Sequence, residues 1–242
     1  MRKSWAEPTR LAPADLDPIR TVAGDDAFDY ALVVAAFHFI NRIADQLRVD
    51  PELLPERLRR FEPLRRLGVR ATSVLLQRLD IGNRPYPIGY DEAVAQLAPV
   101  MERVLGRSPA DALRPVAARP KLIEVVRLAL EERERSTLDA DTLARVHRTV
   151  EAALPTSPAE REGFHARPAD PVEAFAFVGT RYPERTTDEM VGALRRAGWR
   201  DLGILDLAIA VAGANHWARA FRLLGLDPAL YYVGGAGRRA VA

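Results

Sequence analysis

A chain of 242 residues, 48% of them hydrophobic, is long enough to bury a sizeable core, while 35 Lys+Arg against 33 Asp+Glu leave a formal charge of only +2. That balance argues against nucleic acid as a partner, which needs a one-sided basic surface. With no cysteine in the sequence, disulfides, Cys-ligated metal sites, thiol nucleophiles and redox pairs are excluded from the chain's chemistry.

Residues 1–24 hold Pro8, Pro13, Pro18 and Gly24, which predicts an irregular lead-in with at most a short turn. This segment carries charge without an apolar run after it, so no export signal is read there and a cytoplasmic location is expected. The apolar spacing from residue 25 to 230 is helical almost everywhere, without the alternation or the Asn-Gly and Asp-Gly turns of a sheet. One all-α domain is therefore expected, followed by a flexible tail at 231–242 whose Tyr231 and Tyr232 can dock on the body. No apolar stretch reaches the ~20 residues of a membrane span.

A first strong helix is expected from Asp25 or Asp26 to about Arg48, apolar all round at its centre and ended by Asp50-Pro51. Two shorter helices follow over 56–68 and 69–79, then a Gly/Asn/Pro-rich loop to Gly89. Helices are predicted over Asp91–Leu105, over Pro109–Ala117 with Ser108 as cap, and over Lys121 to about Arg135. Thr137–Leu154 gives another, capped by Asp139 or Ser136, and a polar loop closes the middle of the chain. The last third reads as a helix over Pro171–Gly179, a capping box of Thr186 and Glu189 opening a helix to Ala197, and Gly198 as its stop. Asp201 is expected to cap a long final helix that stops at Gly225, with Pro228 beyond.

Shifting the chain by 177 positions lays Asp29–Leu53 on Asp206–Leu230 without a gap. The start Asp, the arginine thirteen residues on (Arg42, Arg219) and the terminal Asp-Pro (Asp50-Pro51, Asp227-Pro228) share one register. Two readings stay open: a pair of similar buried helices each with one snorkelling Arg, or a duplicated unit (near 25–55 and 170–230) whose half-sites are related by a pseudo-twofold axis.

FHFINRIAD at 37–45 resembles the helix near the carboxyl end of alkylhydroperoxidase AhpD-like proteins of the carboxymuconolactone decarboxylase superfamily, and residues 170–228 resemble the last three helices of that family. The resemblance implies an AhpD-like helical fold and a homo-oligomer burying faces such as Val33, Phe37 and Ile40. Its peroxidase members use a Cys-x-x-Cys pair followed by a His. Here the corresponding stretch before the final helices offers only His147 and His165, so thiol peroxidase activity is excluded. The decarboxylase branch implies acid/base groups acting on a small lactone acid, an Arg holding the substrate carboxylate and a His moving the proton.

The catalytic candidates are then His38 and His216, and the ligand-binding candidates Asn41, Arg42, Asn215 and Arg219. His38, Asn41 and Arg42 fall at i, i+3 and i+4 of one helix. The bland reading of each cluster is a satisfied core histidine beside a helix-packing clamp. No paired-His spacing with a carboxylate points to a metal, and no cofactor is expected. Glu131–Arg135 reads as a solvated run of opposite charges, Arg57–Arg66 as a basic surface stripe, and Gly234–Gly237 as a phosphate loop in composition only. Three functions follow: a cysteine-free protein binding a small anion, a cofactor-free lyase or isomerase, and a helical association scaffold. A pocket with His and Arg convergent and water-excluded is expected of the enzyme, and the same side chains packed against caps with no cavity of the scaffold.

Overall fold

The computed structural model describes residues 3, 7–24, 27–47, 88–106, 110–117, 120–134, 136–155, 157, 159 and 167–231. The expected helices over 56–79, the Arg57–Arg66 stripe, His165 and the Gly-rich tail lie outside them. The described residues are helical, without a strand: α1 Asp17–Ala23, α2 Ala27–Leu47, α3 Tyr90–Leu105, α4 Pro120–Arg133, α5 Ala140–Ala153, α6 Pro171–Arg181, α7 Asp188–Arg196 and α8 Asp201–Leu224. None of these helices is long and apolar enough to cross a membrane.

The lead-in is more ordered than its prolines suggest. Two 3-10 turns, Pro8–Arg10 and Pro13–Leu16, precede α1, each with proline in its first turn, where the missing N–H costs nothing. Asp15 holds this segment together by accepting from the Ala12 N–H and from Lys3. Leu11 and Leu16 pack on Leu223, which docks the lead-in onto the end of α8.

Local chemistry sets the helix ends in the second half. Asp139 accepts from the Thr142 N–H to open α5, and Asp170 accepts from Val172 and Glu173 to open α6. Ser136, the other expected cap of α5, accepts instead from the Leu138 N–H in the preceding turn. The stop glycines behave as their type requires: Gly198 (φ 91°) and Gly225 (φ 72°) are left-handed, and the N–H groups of Trp199 and Leu226 reach back to Leu194 and Phe221.

Three expected elements differ. The 110–116 stretch is a 3-10 run with Pro115 inside it, not an α-helix. The Thr186–Glu189 capping box does not form: α7 starts one residue later, with Thr187 at the cap position, and the Thr186 hydroxyl is buried. Asp201 is the first residue of α8 rather than its cap and instead pairs with Arg195. Asp206, read as the start of the second repeat copy, lies inside α8 and accepts from both the N–H and the hydroxyl of Thr137, which ties the approach to α5 onto α8.

One core runs through the molecule, from Leu97, Met101, Ile123 and Leu130 of the α3–α4 pair to Phe175, Val211 and Phe221. At its centre α2 lies along α8 in the opposite direction. Ala35 and Phe39 meet His216 near one end, Arg42 and Asn215 share Thr180, and Gln46 and Val211 both abut Gly179 at the other. α6 packs against both helices, and α5 packs on α6 and α8. Glu131 and Glu134 of the charged run pair with Arg127 and Arg103, closing α4 on itself and on α3.

Candidate functional site: a polar seam between two helices

An apolar helix that must also carry a buried cation needs acceptors within reach, and both central helices supply them one turn back. Arg42 is 2% exposed; its Nη1 donates to the His38 carbonyl and to His38 Nδ1, each at 3.3 Å, and its Nη2 to the Thr180 carbonyl at 3.2 Å. Arg219 is 1% exposed; its Nη1 donates to the Asn215 carbonyl at 2.8 Å and to Asn215 Oδ1 at 3.0 Å. In the 177-residue register Arg42 corresponds to Arg219 and His38 to Asn215. The two helices therefore make the same clamp, an arginine bonded to the carbonyl and side chain of the residue four positions before it.

The clamps face each other. His38 lies close enough to Arg219 and Arg42 for both guanidinium groups to oppose its protonation, together with His216. Burial, the largest cause, and these charges push the His38 imidazole down to about 2, so it is neutral at physiological pH. Since arginine only donates, Nδ1 is the acceptor and the neutral ring carries its proton on Nε2. His216 is also shifted down by burial and by Arg219, against a hydrogen bond to the Ala35 backbone; its Nδ1 is buried without a hydrogen-bond partner among the described residues. Its ring stands edge-on to Trp217 and to Phe39, its own counterpart in the repeat register.

α6 completes the seam. Asn215 Nδ2 donates to the Thr180 hydroxyl at 3.0 Å and to the Val211 carbonyl at 2.9 Å, while the hydroxyl donates to the Ala176 carbonyl at 2.8 Å. Thr180 thus joins both clamps. Beside it Gly179 admits Gln46: a Cβ at Gly179 would stand 1.9 Å from Gln46 Nε2. Gln46 is fully buried, and neither Nε2 nor Oε1 has a hydrogen-bond partner among the described residues. Next to Gln46 in the chain, Asp45 is shifted up by partial burial and by Glu184, against the lowering effect of Arg42.

Of the six sequence candidates, five meet here. Asn41 does not: it is exposed on the outer side of α2. Gln46, Thr180 and Gly179 were not singled out from the sequence, although His38, Arg42 and Gln46 recur every four residues along one stripe of α2. His147 is buried elsewhere, with its ring 5.8 Å from Tyr231. Among the described residues no group of three His, Asp or Glu side chains gathers at metal-binding spacing. No family model, curated protein or solved structure matches the chain.

Proposed function

We propose that this protein is a cysteine-free, AhpD-like cytoplasmic protein that binds a small anionic ligand at the α2–α8 seam. The observation that carries the proposal is the convergence of two buried guanidinium groups, from facing helices, on one neutral imidazole. Arginine forks match carboxylate and phosphate oxygens in pairs, and in a water-poor seam their attraction for an oxyanion is far stronger than at a surface. Neutral His38 and the internally bonded amide of Asn215 line the seam without adding a competing anion.

The lyase or isomerase reading using His38 or His216 is less well supported. A general base is most effective when its pKa lies near the operating pH, and an imidazole held at about 2 is a weak one. The chain's lack of cysteine leaves no thiol for peroxide chemistry.

The test is isothermal titration of the purified chain with small carboxylates and inorganic phosphate, beside Arg42→Lys and Arg219→Lys. These variants keep the charge and lose the fork. Saturable binding by the parent, weakened at least about tenfold in either variant, is expected from the loss of a charge-assisted bond. Binding untouched by both substitutions, or no binding, removes the reading.

A second reading, self-association, is favoured by Val33 and Ile40, seven residues apart on α2 and each 58% exposed. Sedimentation of the parent and of Val33→Lys distinguishes them: a dimer that the substitution dissociates supports it, and a monomeric parent ends it.

A further inference from the structure

We infer that the amide of Gln46 reads a neutral hydrogen-bonding group on the ligand, which makes the ligand a short hydroxy- or oxo-carboxylic acid. This rests on the anion-binding reading of the seam and specifies its ligand. Gln46 follows Arg42 by one helical turn on the same stripe, about 6 Å further along the α2 axis. Its amide lies fully buried against Gly179, the residue before the Thr180 that joins both clamps.

Both amide atoms lack a hydrogen-bond partner among the described residues. A buried amide with neither its donor nor its acceptor engaged is a standing cost to the fold, and an apolar side chain of the same length would avoid it. Glutamine is uncharged, so it adds nothing to the capture of an anion. What it offers is an NH2 that donates and a carbonyl oxygen that accepts, which a hydroxyl engages together and a carbonyl engages through the N–H. An acid with a plain alkyl body satisfies the arginines and leaves the amide as it was.

The experiment is titration calorimetry on the full chain with matched pairs, lactate against propionate and levulinate against valerate, for the parent, Gln46→Met and Gln46→Leu. The parent is expected to bind the hydroxy or oxo acid about tenfold or more tightly than its alkyl match, as for a hydrogen bond formed in place of a buried unmet group. Either variant should erase that preference while leaving the alkyl acids unchanged. The melting temperature of the unliganded variants should equal or exceed the parent's, whereas a purely structural glutamine would lower it. Alkyl acids bound without a preference, or a preference that survives in both variants, overturns this inference and leaves the anion site standing. Failure of every carboxylate to bind overturns both.

Discussion

Arg42 and Asn215, on facing helices, are joined through the two oxygen atoms of one residue: Arg42 donates to the Thr180 carbonyl at 3.2 Å and Asn215 to its hydroxyl at 3.0 Å. The carbonyl survives any substitution at 180, but the hydroxyl does not. Thr180→Val keeps the shape of the side chain and strands one Asn215 donor in the core. It should cost about 1–3 kcal/mol in urea unfolding. A loss below a few tenths would mean that Asn215 finds another acceptor.

Gly179 and Gln46 occupy each other's space. Gly179→Ala gains helix propensity of roughly 1 kcal/mol, yet forces the Gln46 amide aside, with Val211 closing the other flank, at an overpacking cost of about 1–3 kcal/mol. In a Gln46→Ala background the same change should become neutral or stabilising. A double-mutant cycle reads this directly, and additive effects would contradict the contact.

Acid should destabilise the protein before its carboxylates are protonated. His38 takes its proton near 6.5 when unfolded and only at about 2 when folded, and His216 is shifted in the same direction. Below 6.5 the unfolded chain binds protons that the folded chain refuses. The histidine contribution is thus fully present above pH 6.5 and is lost as the pH falls from there toward 2. The slope approaches about 1.4 kcal/mol per pH unit for His38, and His216 adds to it in the same sense. Asp45, shifted up, works in the opposite sense, while Asp15 and Asp139, shifted down, add to the loss at still lower pH. Urea titrations between pH 7 and 5 should show the slope, and His38→Gln should flatten it; an unchanged slope would assign it elsewhere.

Asp206 fixes the approach to α5 through a single oxygen that accepts two bonds from Thr137. Asp206→Ala should cost about 0.5–2 kcal/mol, in the range of a lost helix cap. Hydrogen exchange at the Thr137 amide should quicken with it, and unchanged exchange would show that the loop holds by packing alone.

The sequence made α2 and α8 legible because each is a long apolar run with clear punctuation. α2 spans Ala27–Leu47, and α8 ends at the expected Gly225. The repeat register was legible for the same reason, and the two arginines it aligns, Arg42 and Arg219, each bond the residue four positions back. What failed was angular resolution. Asn41 lies about 60° round the helix from His38 on the side away from Arg42, given about 100° per residue, and that turns it outward. Gln46 escaped notice because an amide near a helix end usually faces water; only Gly179, far away in the sequence, makes room for it. The Thr186 capping box failed in a related way: the Thr186 hydroxyl is buried, the cap position falls on Thr187 and the helix starts at Asp188.

The antiparallel crossing of α2 and α8 has a further meaning. The two segments that share the 177-residue register run antiparallel with Phe39 against its own counterpart His216, the kind of contact an isologous dimer makes between identical subunits. In a dimer of identical subunits, any change on one side is copied to the other. Here His38 faces the partner clamp where Asn215 stands in the second copy, and Thr180 bridges the pair from one direction only. Covalent continuity frees the two halves from identity, so one arginine can keep an imidazole beside it and the other an amide.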